Sequence, residues 1–426
     1  MKIISACKII EKIRNNRFLL ENINYFCIVK HLKKEFSTFL GIIFMMSAIS
    51  VKAQEVLRPT EMELLDPMDS VEVSLLTCSP HEEIYSLYGH SALRWHDLHT
   101  GEDLAMNWGV FDFKKPWFVT RFVFGLTDYE LGIIPYPYFA AEYKSFGSSV
   151  VEQVLNLTVE EKRNVWMALR QNLRPENRVY RYNYFYDNCS IRPRNLVERC
   201  INGKVEYQPR QDYTPSYREM IHKCTRNHPW AAFGNDLLLG VKADMKTGLR
   251  EQEFLPENLL YDFDRATITA ADGTRRPLVK ENRVIVQPGV QVIEEDFPLT
   301  PSECVWLLLA LSLTICCLEW KRKLTYKYWD ALLMFMQGIV GCVLFVMLFS
   351  QHPTTSTNLQ LLLFNPLPLF FISSVLKHHR SRWWKILPVL VVCFIIGSFF
   401  QHYAEGMIIV APCLLSRLLI RIKTGQ

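Results

Sequence analysis

Residues 179–201 read VYRYNYFYDNCSIRPRNLVERCI, and their period changes in the middle. Residues 179–185 alternate large and polar side chains with the two-residue period of a strand. Tyr186, Asp187 and Asn188 have turn chemistry, after which Leu196, Val197, Cys200 and Ile201 recur at helical spacing. The stretch therefore predicts a strand-to-helix junction with Cys189 at the corner. Pro193 fits only in the first turn of that helix. A cysteine there meets free backbone N–H groups and the positive end of a helix dipole, which favour thiolate over thiol.

A thiolate nucleophile also needs an imidazole to accept its proton and a third polar group to hold that imidazole. Upstream, residues 90–96 (HSALRWH) and 104–110 (LAMNWGV) flank the turn sequence HTGED, which predicts a hairpin. Tyr88-Gly89-His90 stands at its first strand's start, and Asn107 lies on its second strand. His90 is the candidate base, and Asn107 is the candidate acceptor for its Nδ1–H. On the residues alone a plainer reading stays open: Cys189 a buried small hydrophobe, His90 a hydrogen-bonded core side chain. His90, His96 and His99 do not make a metal site, because hairpin alternation separates them and no carboxylate pair is near. No cofactor is expected.

Around this centre, residues 71–77 and 150–157 read as strands. Thr158 and Glu161 form a capping box opening a helix with Val165, Trp166, Leu169 and Leu173 on one face, and Pro175 stops it. Residues 214–260 are expected to be mostly helical and 266–293 a short β hairpin leading to a membrane. Together these predict an α+β domain with a small antiparallel sheet over residues 54–300. Of 12 cysteines in the chain, Cys78, Cys189, Cys200 and Cys224 fall in this domain, without a CxxC. That spacing is neither a disulfide framework nor a zinc module, although one oxidised pair, such as Cys200 with Cys224, fits an oxidising compartment.

The remainder, 301–426, is apolar in five segments, about 303–319, 329–350, 359–376, 384–401 and 407–420, which predicts a bundle of about five transmembrane helices. Lys321, Arg322, Lys323 and Lys327 follow the first segment, Lys377, Arg380 and Arg382 the third, and Arg417, Arg421 and Lys423 lie at the fifth. All fall on one side, whereas 351–358 and 402–406 hold no Lys or Arg. The positive-inside rule puts those clusters in the cytoplasm and the α+β domain outside. Residues 1–53 agree: Lys33 and Lys34 precede an apolar run, 39–49, and Val51-Lys52-Ala53 has small-residue cleavage chemistry, as in a signal peptide behind an extended N-region. The formal charge of +5 sits largely in this leader and the membrane connections, so nucleic-acid binding is not expected.

The segments YSLYGHSALRW (85–95), MNWGVFDF (106–113), QVLNLT (153–158), YRYNYFYDNCSIRPRNLVE (180–198), FLPENLL (254–260) and NLQLLLFNPLPLF (358–370) resemble the bacterial lipoprotein N-acyltransferase family that joins a periplasmic papain-like domain to a membrane bundle. The order His before Cys is that of circularly permuted papain-like enzymes. The resemblance implies a cysteine-dependent acyltransferase of the inner membrane, multi-pass, with its N-terminal domain in the periplasm. An acyl chain would pass from a phospholipid through a Cys189 thioester to the N-terminal amine of a diacylglyceryl-modified lipoprotein, with His90 as base and Asn107 as the third residue. Tyr88, Asn188 and Arg192, beside the two motifs, are the expected substrate contacts. Arg192 is placed to hold a phosphate, against the alternative of an exposed helix arginine. Trp108, Phe111, Trp117, Phe118 and Phe122 are candidates for an acyl channel or for core. The rival functions are a membrane-anchored Cys–His hydrolase of peptidoglycan or lipid esters, and a non-catalytic membrane assembly protein.

Overall fold

The computed structural model describes residues 68–112, 116–291, 297–377 and 381–423; the leader lies outside them. Ten strands form: β1 Val71–Cys78, β2 His90–Asp97, β3 Asp103–Val110, β4 Asp128–Pro135, β5 Val150–Leu155, β6 Val179–Arg181, β7 Lys204–Glu206, β8 Thr267–Thr269, β9 Arg275–Pro277 and β10 Val279–Val286. The sheet is larger than expected. Seven strands pair antiparallel in the order β10-β5-β1-β2-β3-β4-β6, and β7-β8-β9 make a separate small sheet. The expected terminal hairpin is split accordingly: β8 pairs β9, while β10 returns to the main sheet beside β5. The strand expected over 179–185 stops at Arg181, opposite Asp128 where β4 begins; Tyr182 N–H still donates to the Thr127 carbonyl at 3.3 Å, and Asn183 then turns back to bridge Asp187.

Side-chain alternation sorts the sheet into two faces. One carries Val73, Leu75, Leu93, Trp95, Met106 and Trp108, buried against helices α2 (Val159–Leu173), α3 (Ile191–Cys200) and α6 (Pro256–Arg265). The other carries Leu76, Cys78, Ala92 and Ala105 under α1 (Tyr136–Ser145), whose Phe139 is fully buried. The α2 capping box is present in both directions, Thr158 accepting from the Glu161 N–H and Glu161 from the Thr158 N–H. Residues 214–260 break into short helices, including α4 (Tyr217–Cys224) and α5 (Pro229–Leu238), each opened by a Ser cap or a proline.

Helices α7 (Pro301–Arg322), α8 (Lys327–Met347), α9 (Leu367–Leu376), α10 (Trp383–Gly397) and α11 (Met407–Lys423) form the second half. Three stretches are long and apolar enough to cross a membrane: Pro301–Arg322, Lys327–Met347 and Leu359–Leu376. The third includes a 3-10 turn, Leu359–Leu362, ahead of Pro366 and Pro368. The charge pattern at the far ends is not what a count of basic residues implied. Arg417 and Arg421 are buried between helices and paired with Glu319 of α7 and Asp330 of α8, so they are not free cytoplasmic charge.

The halves are joined by hydrogen bonds to backbone groups at the end of α5 and just after it. The Gly240 and Val241 N–H groups donate to Thr354 and Thr357 carbonyls, each at 2.8 Å. Side-chain amides of Asn358, Gln360 and Gln401 donate to the carbonyls of Leu237, Asp236 and Leu239 at 2.8, 2.8 and 3.0 Å. Phe233, Leu237 and Leu238 of α5 pack against the membrane bundle's own core. These amides satisfy the open end of α5, which is what a buried helix terminus requires.

Candidate active site

Asn188 builds the corner on which Cys189 stands. Its Oδ1 accepts from the Ser190 and Ile191 N–H groups, both at 3.0 Å, and its Nδ2 donates to the Tyr184 and Phe254 carbonyls. This cap starts α3 at Ile191 and sets Pro193 in its first turn, where no N–H is missed. Every hydrogen-bonding position of the Asn188 amide is thus engaged inside the chain, which gives it a structural part at the corner. The same bonds, with Arg192 N–H donating to the Asn188 carbonyl, occupy the N–H groups that follow Cys189.

The Tyr88-Gly89-His90 turn is fixed by glycine. Gly89 has φ +74°, and a Cβ there would stand 2.8 Å from the Cys78 carbonyl oxygen, so no other residue fits this entrance to β2. His90 then lies across from Cys78 in the β1–β2 ladder. Its Nε2–H donates to Asn107 Oδ1 at 2.6 Å. The ring is turned opposite to the expected orientation: Asn107 takes Nε2, leaving Nδ1 for the hydrogen bond that His90 makes with Cys189. The structure thus brings Cys189, His90 and Asn107 into one chain of contacts. Tyr88 and Arg192 are engaged elsewhere. The Tyr88 hydroxyl accepts from Asn235 Nδ2 at 2.7 Å, and the Arg192 fork holds Asp187 at 2.7 and 2.6 Å while stacking on Tyr180.

Electrostatics favour a thiolate–imidazolium pair. Burial opposes a charged Cys189, but the His90 charge and hydrogen bond, the Ser91 N–H and the Ser190 hydroxyl outweigh it, and the thiol is held below its ordinary value. Burial likewise opposes a charged His90, yet the Cys189 charge, its hydrogen bond and Asn107 leave the imidazole raised. His81 is pushed the other way, by burial and then by the His90 charge, and stacks on Phe146 at 4.2 Å. Burial raises the Tyr180, Tyr182 and Tyr184 phenols, so the thiolate sits among neutral rings.

Several residues here carried no signal in the sequence. Ser91 and Ser190 are fully buried with hydroxyls 3.1 Å apart, tying β2 to α3 directly behind the Cys–His pair. Tyr143 of α1 lies parallel to the His90 ring and hydrogen-bonds Cys78. Every described cysteine is unpaired, Cys200 and Cys224 included, so the oxidised pair is not present. Of the candidate channel aromatics, Trp108 is core, its Nε1–H on Asn172, whereas Trp117 and Phe122 are exposed. Among the described residues no group of His, Cys, Asp and Glu is arranged to hold a metal ion.

A family model described as Lnb N-terminal periplasmic domain matches residues 65–223, which include both motifs and the whole Cys–His–Asn chain. A second, described as Lnb transmembrane domain, matches residues 292–425. Residues 224–291, with the α5 segment that joins the halves, lie between the two matches. No curated protein and no solved structure matches the chain. A periplasmic α+β domain and a transmembrane helical bundle, matched in that order along one chain, place the protein in the Lnb family of lipoprotein N-acyltransferase-like membrane proteins.

Proposed function

We propose that the protein is a cysteine-dependent lipoprotein N-acyltransferase of the inner membrane, drawing its acyl chain from a phospholipid. The observation that carries this reading is the paired Cys189 and His90, with Asn107 on Nε2, in a domain bolted to a membrane bundle. A peptidoglycan hydrolase using the same pair has no need of that attachment.

In the first half-reaction the Cys189 thiolate attacks the ester carbonyl carbon of the phospholipid. A C–S bond forms and the carbonyl electrons move to oxygen. Collapse of the tetrahedral adduct breaks the C–O bond, and the His90 imidazolium protonates the departing alkoxide, leaving a lysophospholipid and a thioester. In the second, the free N-terminal amine of a diacylglyceryl-modified lipoprotein attacks the thioester carbon. Neutral His90 takes the amine proton, the C–N bond forms, and the thiolate leaves to restore the ion pair. Thiolate is the better leaving group against an amine, so the intermediate favours transfer. Because the N–H groups of Ser190, Ile191 and Arg192 are taken by Asn188, the oxyanion donor we assign is the N–H of Cys189 itself.

The decisive experiment is to quench the purified protein with phospholipid vesicles and digest it. A hydroxylamine-labile acyl group on the Cys189 peptide is expected, and its absence from rapidly quenched samples overturns the covalent route. In cells relying on this protein, Cys189→Ser and His90→Ala are expected to abolish lipoprotein N-acylation, while Cys200→Ser and Cys224→Ser preserve it. Unchanged triacylated N-terminal peptides by mass spectrometry in the Cys189→Ser strain would end the proposal.

A further inference from the structure

We propose that residues 116–126, PWFVTRFVFGL, form an apolar lip that sits among the acyl chains of the outer leaflet and delivers the donor lipid to Cys189. This rests on the acyl-transfer reading for its purpose but not for its placement.

Strand β3 carries Asn107 and then passes the thiol. At Gly109, with φ +103°, a Cβ would lie 4.0 Å from the Cys189 Cβ and nothing else is as near. Beyond it Phe111 meets Tyr85 edge-on at 6.3 Å and Tyr129 at 4.9 Å, and Tyr129 stacks on Tyr182 at 4.2 Å. Tyr182 is among the rings that feel the Cys189 charge. A wall of aromatic rings therefore leads from the reacting sulfur to Phe111, on the chain a few residues ahead of the lip.

The lip's far end is fixed to the membrane half. The Gln351 N–H donates to the Phe124 carbonyl at 3.0 Å, His352 Nε2 lies 3.3 Å from the Phe122 carbonyl, and Gly125, at φ +68°, allows the close approach. Gln351 follows α8, one of the stretches long enough to cross the bilayer, whose outward side chains include Ile339 and Val343, with exposed Phe349 just beyond its end. Exposed apolar surface thus continues from that helix onto the lip, where Trp117 is 80% and Phe122 47% exposed. The lip's single charge, Arg121, is paired with Asp128, which Arg181 also contacts at 3.2 Å, and donates from Nε to the Leu126 carbonyl at 3.1 Å. Aromatic, with its one charge held in an ion pair, and continuous with a spanning helix, this surface fits lipid chains.

The test uses the full chain in phosphatidylethanolamine vesicles. For the variant Trp117→Ser/Phe122→Ser, acylation of Cys189 is followed from the vesicle lipid and from water-soluble p-nitrophenyl butyrate. Loss of these two exposed aromatics from the lipid-facing surface is expected to slow the bilayer donor by at least about tenfold while the soluble donor reacts at the wild-type rate. Equal slowing with both donors, or no slowing with either, overturns the proposal. In parallel, benzophenone side chains at positions 117 and 122 are expected to cross-link phospholipid; cross-links to a second copy of the chain or to lipoprotein instead also overturn it. Lipid cross-links from positions 117 and 122, with wild-type Cys189 acylated by neither donor, would leave the lip standing and remove the thioester.

Discussion

His90 is the residue on which the site's charge balance turns, and its neighbours predict how activity responds to pH. The reactive form is thiolate with imidazolium. It exists above the thiol's lowered pKa and below the imidazole's raised one, so acylation should follow a bell whose acid limb lies below the ordinary thiol value and whose alkaline limb lies above the ordinary imidazole value. Removing the imidazole leaves burial unopposed at the thiol. In His90→Ala the pH midpoint for alkylation of Cys189 by iodoacetamide should therefore rise, and alkylation at pH 7 should fall. Asn107 acts through the imidazole: its oxygen favours the protonated ring. Asn107→Ala should lower the imidazole pKa, move the alkaline limb to lower pH, and slow the reaction by up to about 100-fold as the ring loses its fixed orientation. An alkaline limb that stays in place would show that Asn107 does not hold the ring. The residue types for this chemistry were readable in the sequence, as was the corner position of Cys189. Which ring nitrogen faces which partner was not, because it depends on how β2 and β3 set His90 against Asn107 in space.

At the scale of elements, α3 depends on Asn188, which contributes four hydrogen bonds to one junction. Asn188→Ala removes a cap and strands two buried carbonyls, and should cost about 2 kcal/mol or more, read as a lower melting temperature in detergent. Asn188→Asp keeps the cap but places a carboxylate beside the thiolate, so it should also raise the Cys189 pKa. A second element-level link runs from α5 to the catalytic turn: Asn235 Nδ2 holds the Tyr88 hydroxyl, Tyr88 adjoins Gly89 and His90, and its ring packs on Tyr184, whose carbonyl Asn188 binds. Local signals revealed what is local here. The Thr158–Glu161 box and the HTGED turn act within a few residues, and both formed where their chemistry pointed. Strand β4 and the return of β10 escaped notice because their pairing is long-range, while β6 was expected as a strand and is only shorter than its alternation suggested. The intramolecular partners of Arg192, Tyr88 and Asn188 were not legible for the same reason, being set by tertiary packing.

Across the whole molecule, the catalytic domain is held by outer loops that the bundle must present in fixed positions, and the opposite end of the bundle shows how three helices are kept together. Glu319 of α7, Asp330 of α8, and Arg417 and Arg421 of α11 are at most 4% exposed at their side chains. Arg417 Nε donates to Asp330 at 2.6 Å and its NH2 lies 2.8 Å from Glu319, while Arg421 pairs with both acids. Two acids and two arginines balance, and the balance matters more than any single contact, since a lone charge within a bilayer is costly. Asp330→Asn leaves an arginine uncompensated and should destabilise the bundle by about 3 kcal/mol or more, measured as loss of the monodisperse species on heating in detergent. Asp330→Asn combined with Arg417→Gln restores neutrality and should recover part of that loss, despite deleting a second side chain. If the double variant loses the sum of the two singles, the four groups act as independent contacts rather than as one neutral cluster. If it recovers, acyl transfer from the bilayer should recover with it, because the loops that carry Gln351, Asn358 and Gln401 are held in place only when the helices beneath them are.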